Sequence, residues 1–401
     1  MPRVKPPTAL AALLVPVFCL AGCGAEANTA ENTPSGATSA GAKTAATHRI
    51  RLNVTDGQTH ASLERSGRVA VTGGKLTGVS LASGGSQVRG GMSTDRRSWA
   101  PTTPLSYGTT YTLAVGVTDD EGHKRTKRVT FTTLRKSERF VGTFLPEDGS
   151  IVGVGMPVSL TFDKAITNKK AVESAIKINS TSGQQVVGHW VSAQRIDFRP
   201  KDYWKACSTV TVRLELDGVK GADSAYGEQN KTIRFAVGRS QVSTVDASSH
   251  QMRIIRDGKL IKTVPITAGA ATSTTYNGQM VISEKLIQTR MNGATVGFAG
   301  QYDIPDVPHA MRLSTSGTFI HGNYWAADSV FGHSNVSHGC VGLNDVKGGG
   351  DQGQDAAWFY SNSLVGDVIV VKNSTDKTIA PDNGLNGWNM PWQEWQSGSA
   401  L

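Results

Sequence analysis

Between residues 333 and 343 the chain reads HSNVSHGCVGL, placing Cys340 two positions after His338 and directly after Gly339. A thiol attacks as its thiolate, so it needs a base or a positive field beside it. Imidazole is the usual partner, and His309, His321, His333 and His338 all lie near in sequence. Of these, His321 follows the β run Thr318-Phe319-Ile320, and a rigid strand suits a positioned base. His338 faces the same side of an extended segment as Cys340 without having to meet it. His309 and His333 read as ordinary loop histidines. A third group should hold the imidazole, as in catalytic triads. Asp328 and Asp345 are available, and so is the nearest backbone carbonyl, that of Gly322. The N–H groups of Gly339 and Cys340 are candidate donors to an oxyanion. The same His and Cys residues could instead ligate zinc, although their spacing matches no common structural zinc site.

The elements around these residues read as β. The 401 residues suffice for about three domains, and glycine is abundant at 45 while charged residues make up 18%. Short alternating runs bounded by Gly, Asp, Asn and Ser recur from about residue 48 to 372. An internal repeat relates Trp99-Ala100-Pro101 and YTLAVGV (111–117) to Phe198-Arg199-Pro200 and VTVRLEL (210–216) at an offset of 99 residues. In both copies alternate positions are apolar: Tyr111, Leu113, Val115 and Val117, then Val210, Val212, Leu214 and Leu216. This is how a β-sandwich reads. Two immunoglobulin-like domains are therefore expected at 48–138 and 139–238. A third, catalytic domain follows at 239–373, opening with two β runs around Asp257-Gly258, a hairpin signal. The Gly-, Pro- and Met-rich stretch from 284 to 317 shows few clear strands and reads as a functional lid. GQDAAWFYSNSL (353–364) is the best helix candidate, and GDVIVV (366–371) a short buried strand. The tail, 374–401, carries Trp388, Trp392 and Trp395 and is expected to pack back on a domain. Cys207 reads as a small buried hydrophobe.

At the start, Arg3 and Lys5 precede a short apolar run that reads as an export signal over 1–22. Leu20-Ala21-Gly22-Cys23 resembles the lipobox of bacterial lipoproteins, which implies cleavage before Cys23 and lipidation of its thiol. Residues 23–47 are small and polar, a flexible tether. Cysteine usage does not make a disulfide framework. The net charge of +9 sits on one segment: residues 43–139 hold 16 Lys or Arg against 7 Asp or Glu, with HKRTKR (123–128) the densest part. An anionic partner such as a wall polymer suits that segment; outside the cell, nucleic acid does not.

The stretch FIHGNYW…HSNVSHGCVGL resembles the signature of the L,D-transpeptidases of bacterial cell walls, a His followed at a set distance by Ser-His-Gly-Cys. Lipobox, two sandwiches, β-rich catalytic domain and Trp-containing tail together resemble the actinobacterial members. The resemblance implies a mainly-β chain with a short helix in the catalytic domain, no cofactor, and peptidoglycan stem tetrapeptides as donor and acceptor. It implies Cys340 as nucleophile, His321 as base and Gly322 as the carbonyl that orients it. His338 and Gly339 would frame the thiol. Tyr302 in the lid, Ser337, Trp325 and Asn323 would contact substrate. Some relatives carry Asn two residues after the cysteine, where this chain has Gly342, which puts any role of that amide in doubt. The expected reaction is formation of 3→3 cross-links through a thioacyl enzyme with release of D-alanine. The rival readings are an L,D-carboxypeptidase using the same intermediate, a papain-like peptidase (whose cysteine precedes its histidine), a zinc-binding wall lipoprotein and a scaffold protein.

Overall fold

The computed structural model describes residues 49–401. The signal segment, the tether and Cys23 lie outside the described residues. From Arg49 to Val237 the alternating runs form strands that bury one face and leave the other wet. In the first part, a four-stranded sheet faces a five-stranded sheet built on the long antiparallel pair Thr110–Asp119 and Lys124–Thr133. Leu113, Val115 and Val117 point inward, at 1% exposure or less. In the second part, two four-stranded sheets enclose Val210, Val212, Leu214 and Leu216 in the same way. Cys207 departs from expectation. It is exposed and sits at a left-handed φ of 58° in the turn before the strand Thr209–Glu215. The turn points its side chain outward, and both described cysteines are free.

The third part is a nine-stranded sheet. Numbered from the start of this sheet, its strands are β1 (Gln241–Asp246), β2 (Gln251–Arg256), β3 (Lys259–Thr267), β4 (Gly278–Val281), β5 (Glu284–Asn292), β6 (Asp303–Arg312), β7 (Phe319–Asn323), β8 (Val341–Asn344) and β9 (Val368–Lys372). Their spatial order is β4-β9-β1-β2-β3-β8-β7-β6-β5. Asp257 and Gly258 both take positive φ, 49° and 79°, as a tight two-residue hairpin requires. Helix α1 (Asp355–Asn362) lies within the stretch the sequence marked and buries Ala356, Ala357 and Phe359.

One expectation fails here. The stretch from 284 is no irregular lid: β5 and β6 form a long antiparallel hairpin from Glu284↔Arg312 to Asn292↔Asp303. Pro305 and Pro308 hid it. Proline cannot donate to a ladder and is tolerated on a free strand side. β7 pairs only with Met311 and Arg312, so the proline-bearing stretch of β6 has such a side. The tip, residues 293–302, and the turn at 313–318 lie outside the strands.

The tail staples the third part to the second. Trp388 Nε1 donates to Gly155 O at 2.7 Å and Trp395 Nε1 to Val187 O at 3.0 Å. Val281, Val368, Leu385 and Trp388 pack into the core of the second sandwich. Arg199, 3% exposed, lies 4.8, 5.2 and 4.3 Å from the rings of Trp388, Trp392 and Trp395. Its guanidinium donates to Met390 O at 2.9 Å. Burial pulls its pKa down to about 10. Desolvated cation–π contacts contribute about 2 kcal/mol and a hydrogen bond to a charged group about 1.5 to 3. Arg199→Ala is therefore expected to cost about 3 kcal/mol and to free the tail. Limited proteolysis with tryptophan emission would report this; a tail as protected as in the wild type would contradict it.

Candidate active site

β7 and β8 run parallel, with Ile320 opposite Val341 and His321 opposite Gly342. Cys340 stands one residue before β8, at the end of the Ser337–Cys340 turn. That turn is closed by Ser337, whose Oγ donates to Cys340 O at 2.6 Å and accepts from Gly339 N at 3.2 Å. Gly339 has a φ of 113°, a conformation side chains disfavour. Its N–H is thus engaged by Ser337, which removes it from the expected pair of oxyanion donors.

The parallel register sets His321 and Cys340 on one cavity of about 390 Å³, together with Tyr302, Asn323, Trp325, Ser337 and His338. His321 is 4% exposed and its Nδ1 lies 2.9 Å from Gly322 O. A carbonyl only accepts, so Nδ1 carries the proton and Nε2 is left as the basic nitrogen. The Trp325 ring lies over the imidazole, 5.6 Å between centroids and 15° from parallel. Desolvation lowers the imidazole pKa, with the Gly322 bond acting the other way. Burial pushes the Cys340 thiol up to about 11, while a Phe319 N–H aimed at the sulfur opposes the rise. The resting pair is therefore neutral. The thiol is not hydrogen-bonded to His321; it donates to Gly317 O at 3.6 Å.

The hairpin tip covers the thiol. Tyr302 and Phe298 meet the His338 ring at 4.9 and 5.5 Å. A second cavity, about 350 Å³, lies beyond them, and Tyr302 and His338 line both. Burial raises the Tyr302 pKa, and a thiolate at Cys340 would raise it further. Asp306 on β6 accepts a hydrogen bond from Tyr324, whose ring stands edge-on to Trp325 at 5.0 Å. Hairpin and catalytic strand are thereby coupled.

Two readings change. His309 is no loop residue: it is buried on β6 with Nδ1 2.7 Å from Asp345 Oδ2. Asp328 lies at the surface near Asn344 and Asp345 turns toward His309, so the group bonded to His321 is the Gly322 carbonyl. His333 is exposed. Gly342 has a reason: a Cβ there would lie 2.8 Å from Thr267 Cγ2 and 3.2 Å from Asn323 Nδ2, so both neighbouring strands close on the bare Cα. Among the described residues the one group of three candidate metal-ligand side chains is Asp119, Glu121 and His123, far in sequence from the thiol. Phe298 and Gln301 line the cavities without any signal in the sequence. Asn335 carries no sequence signal either: its side chain takes the Ala268 N–H at 2.9 Å and gives to Ala247 O at 2.8 Å, tying the catalytic loop to the sheet.

A thiol and a carbonyl-held imidazole on adjacent parallel strands, under a cover that leaves a cavity on either side, suit acyl transfer between two substrates. Residues 240–371 match the L,D-transpeptidase catalytic domain, and residues 58–220 a bacterial Ig domain. L,D-transpeptidase 5 of Mycobacterium tuberculosis is 32% identical over 328 residues, spanning 80% of this chain and 69% of that protein. L,D-transpeptidase 2 of the same organism is 29% identical over 361 residues, 88% of this chain and 85% of the relative. A solved L,D-transpeptidase in complex with imipenem superposes with a TM-score of 0.48 at 27% identity, covering 57% of this chain and 97% of the other. The chain belongs to the L,D-transpeptidase family, and it is an acyltransferase.

Proposed function

We propose that the protein forms 3→3 cross-links in peptidoglycan through a thioacyl enzyme on Cys340. The sulfur attacks the carbonyl at the L-centre of diaminopimelate in a stem tetrapeptide. His321 Nε2 takes the thiol proton and passes it to the departing amine as the C–N bond breaks and D-alanine leaves. A side-chain amine of a second stem then attacks the thioester; His321 accepts its proton and returns it to the sulfur. Gly322 holds the imidazole throughout. His338, Gly339 and Ser337 shape the loop under the thiol, Tyr302 closes over the acyl group, and Trp325 and Asn323 line the wall that the stem contacts. The observation that carries this reading is the shared cavity of Cys340 and a neutral, carbonyl-held His321.

The same reading anchors the chain outside the cytoplasm through a lipidated Cys23, with 139–238 and the tail as a rigid base for the catalytic domain at 239–373. Lys124, Arg125, Lys127 and Arg128 stand exposed on one strand of the first sandwich; this basic edge suits anionic wall polymers. The test is mass spectrometry of products from the purified protein and a disaccharide tetrapeptide. Loss of D-alanine with cross-linked dimers is the expected result. Loss without dimers would make the enzyme an L,D-carboxypeptidase, and no loss would overturn the proposal.

A further inference from the structure

Behind the catalytic histidine lies a buried, hydrogen-bonded His309–Asp345 pair that the reaction above does not use. Gly322 has no room for a side chain: a Cβ there would collide with the Asp345 carboxylate, whose Cβ and Cγ would lie 2.8 Å away. Asp345 and His309 are each 5% exposed. His309 Nδ1 meets Oδ2 at 2.7 Å, and Oδ1 accepts the Val346 N–H at 2.8 Å. His309 sits at a left-handed φ of 49° inside β6, and the Tyr360 ring packs on it at 5.2 Å. Gly349 yields space to it, since a Cβ there would lie 2.8 Å from Cε1. The three strands involved are neighbours, β6-β7-β8.

Stability alone does not explain this arrangement. Apolar groups of the same shape replace both partners of a buried hydrogen bond at little or no cost, and a strained non-glycine backbone persists only where its surroundings enforce it. What distinguishes the pair is its place against the one peptide whose carbonyl holds His321. We propose that Asp345 and His309 are positioning residues for the catalytic imidazole. His309 pins the carboxylate, the carboxylate fills the space over the Gly322 Cα, and the 322–323 peptide is thereby kept from turning its carbonyl away from His321 Nδ1. Neither residue touches the substrate. The inference rests on His321 being the base.

The test is a double-mutant cycle read by the rate of D-alanine release and its pH profile, with His321→Ala measured alongside. A misplacement of about 1 Å costs on the order of 100-fold in rate. Gly322→Ala should lower kcat by roughly that factor, leave KM within about twofold, and distort the acid limb that His321 sets. Removing the carboxylate as well, in Gly322→Ala/Asp345→Gly, should make room for the new methyl and recover most of the loss relative to Asp345→Gly alone. Asp345→Asn keeps the shape and a hydrogen bond to His309, so it should retain activity that Asp345→Leu loses. It also serves if the glycine variant fails to fold. Equal losses from Gly322→Ala with and without the carboxylate, or equal activity of Asp345→Asn and Asp345→Leu, would overturn the proposal. If His321→Ala leaves the pH profile unchanged, the base assignment fails instead, whatever the cycle shows.

Discussion

Cys340→Ala should leave a folded protein that releases no D-alanine from a tetrapeptide donor. The sulfur is the one thiol among the residues lining the cavity that also holds His321. Removing the nucleophile of such a unit costs on the order of 10⁴-fold or more, because the remaining groups can only bind and polarise. Folding should survive, since the half-buried sulfur makes only weak bonds, to Gly317 O and from the Phe319 N–H. Cys207 provides an internal control: it is exposed on the second sandwich and free, so it stays alkylatable in the variant. Retained D-alanine release by Cys340→Ala would place the acyl group elsewhere.

The second large effect concerns pH. A thiol held up to about 11 is almost wholly protonated near neutrality, so its proton must pass to a base as the S–C bond forms. His321 is competent as that base only when neutral. Its pKa is lowered from 6.5 by burial, which keeps the neutral form present further into acid. Wild-type acylation should therefore be flat at neutral pH and fall only below pH 6.5, as the imidazole gains its proton. His321→Ala should lose the plateau, with a rate about 10² to 10⁴-fold lower at pH 7 that climbs tenfold per pH unit toward about 11 as the thiolate appears. His338→Ala should keep the plateau and weaken binding, because His338 meets Tyr302 and Phe298 rather than the sulfur's proton. A profile for His338→Ala like that expected of His321→Ala would move the base to position 338.

What the sequence revealed divides along physical lines. Ser-His-Gly-Cys and the histidine before it are local patterns of high specificity, and β7 and β8 bring them to one cavity. The inward alternation at 111–117 and 210–216, the Asp257-Gly258 turn and the helix within 353–364 are also short-range signals, and the structure shows each of them. The losses come from tertiary context. Pro305 and Pro308 argue against a strand until the neighbouring strand is seen to leave their side free. Cys207 looks like a core residue until the turn's positive φ turns it outward. His309 and Asp345 meet across 36 residues, and Arg199 reaches Met390 across 191, separations no local pattern encodes. Gly342 reads as a missing amide; in space its bare Cα is enclosed by Thr267 on one side and Asn323 on the other. The thiol's raised pKa was equally invisible, because burial rather than any neighbour in sequence sets it.

The central claim is that the acyl group passes through the sulfur of residue 340. Peptide-mapped mass spectrometry of the protein quenched in acid during turnover of a stem tetrapeptide tests it most directly. The account predicts a thioester adduct, the tetrapeptide less D-alanine, on the peptide containing Cys340. Product formation with that peptide unmodified and an adduct on any other residue would contradict it.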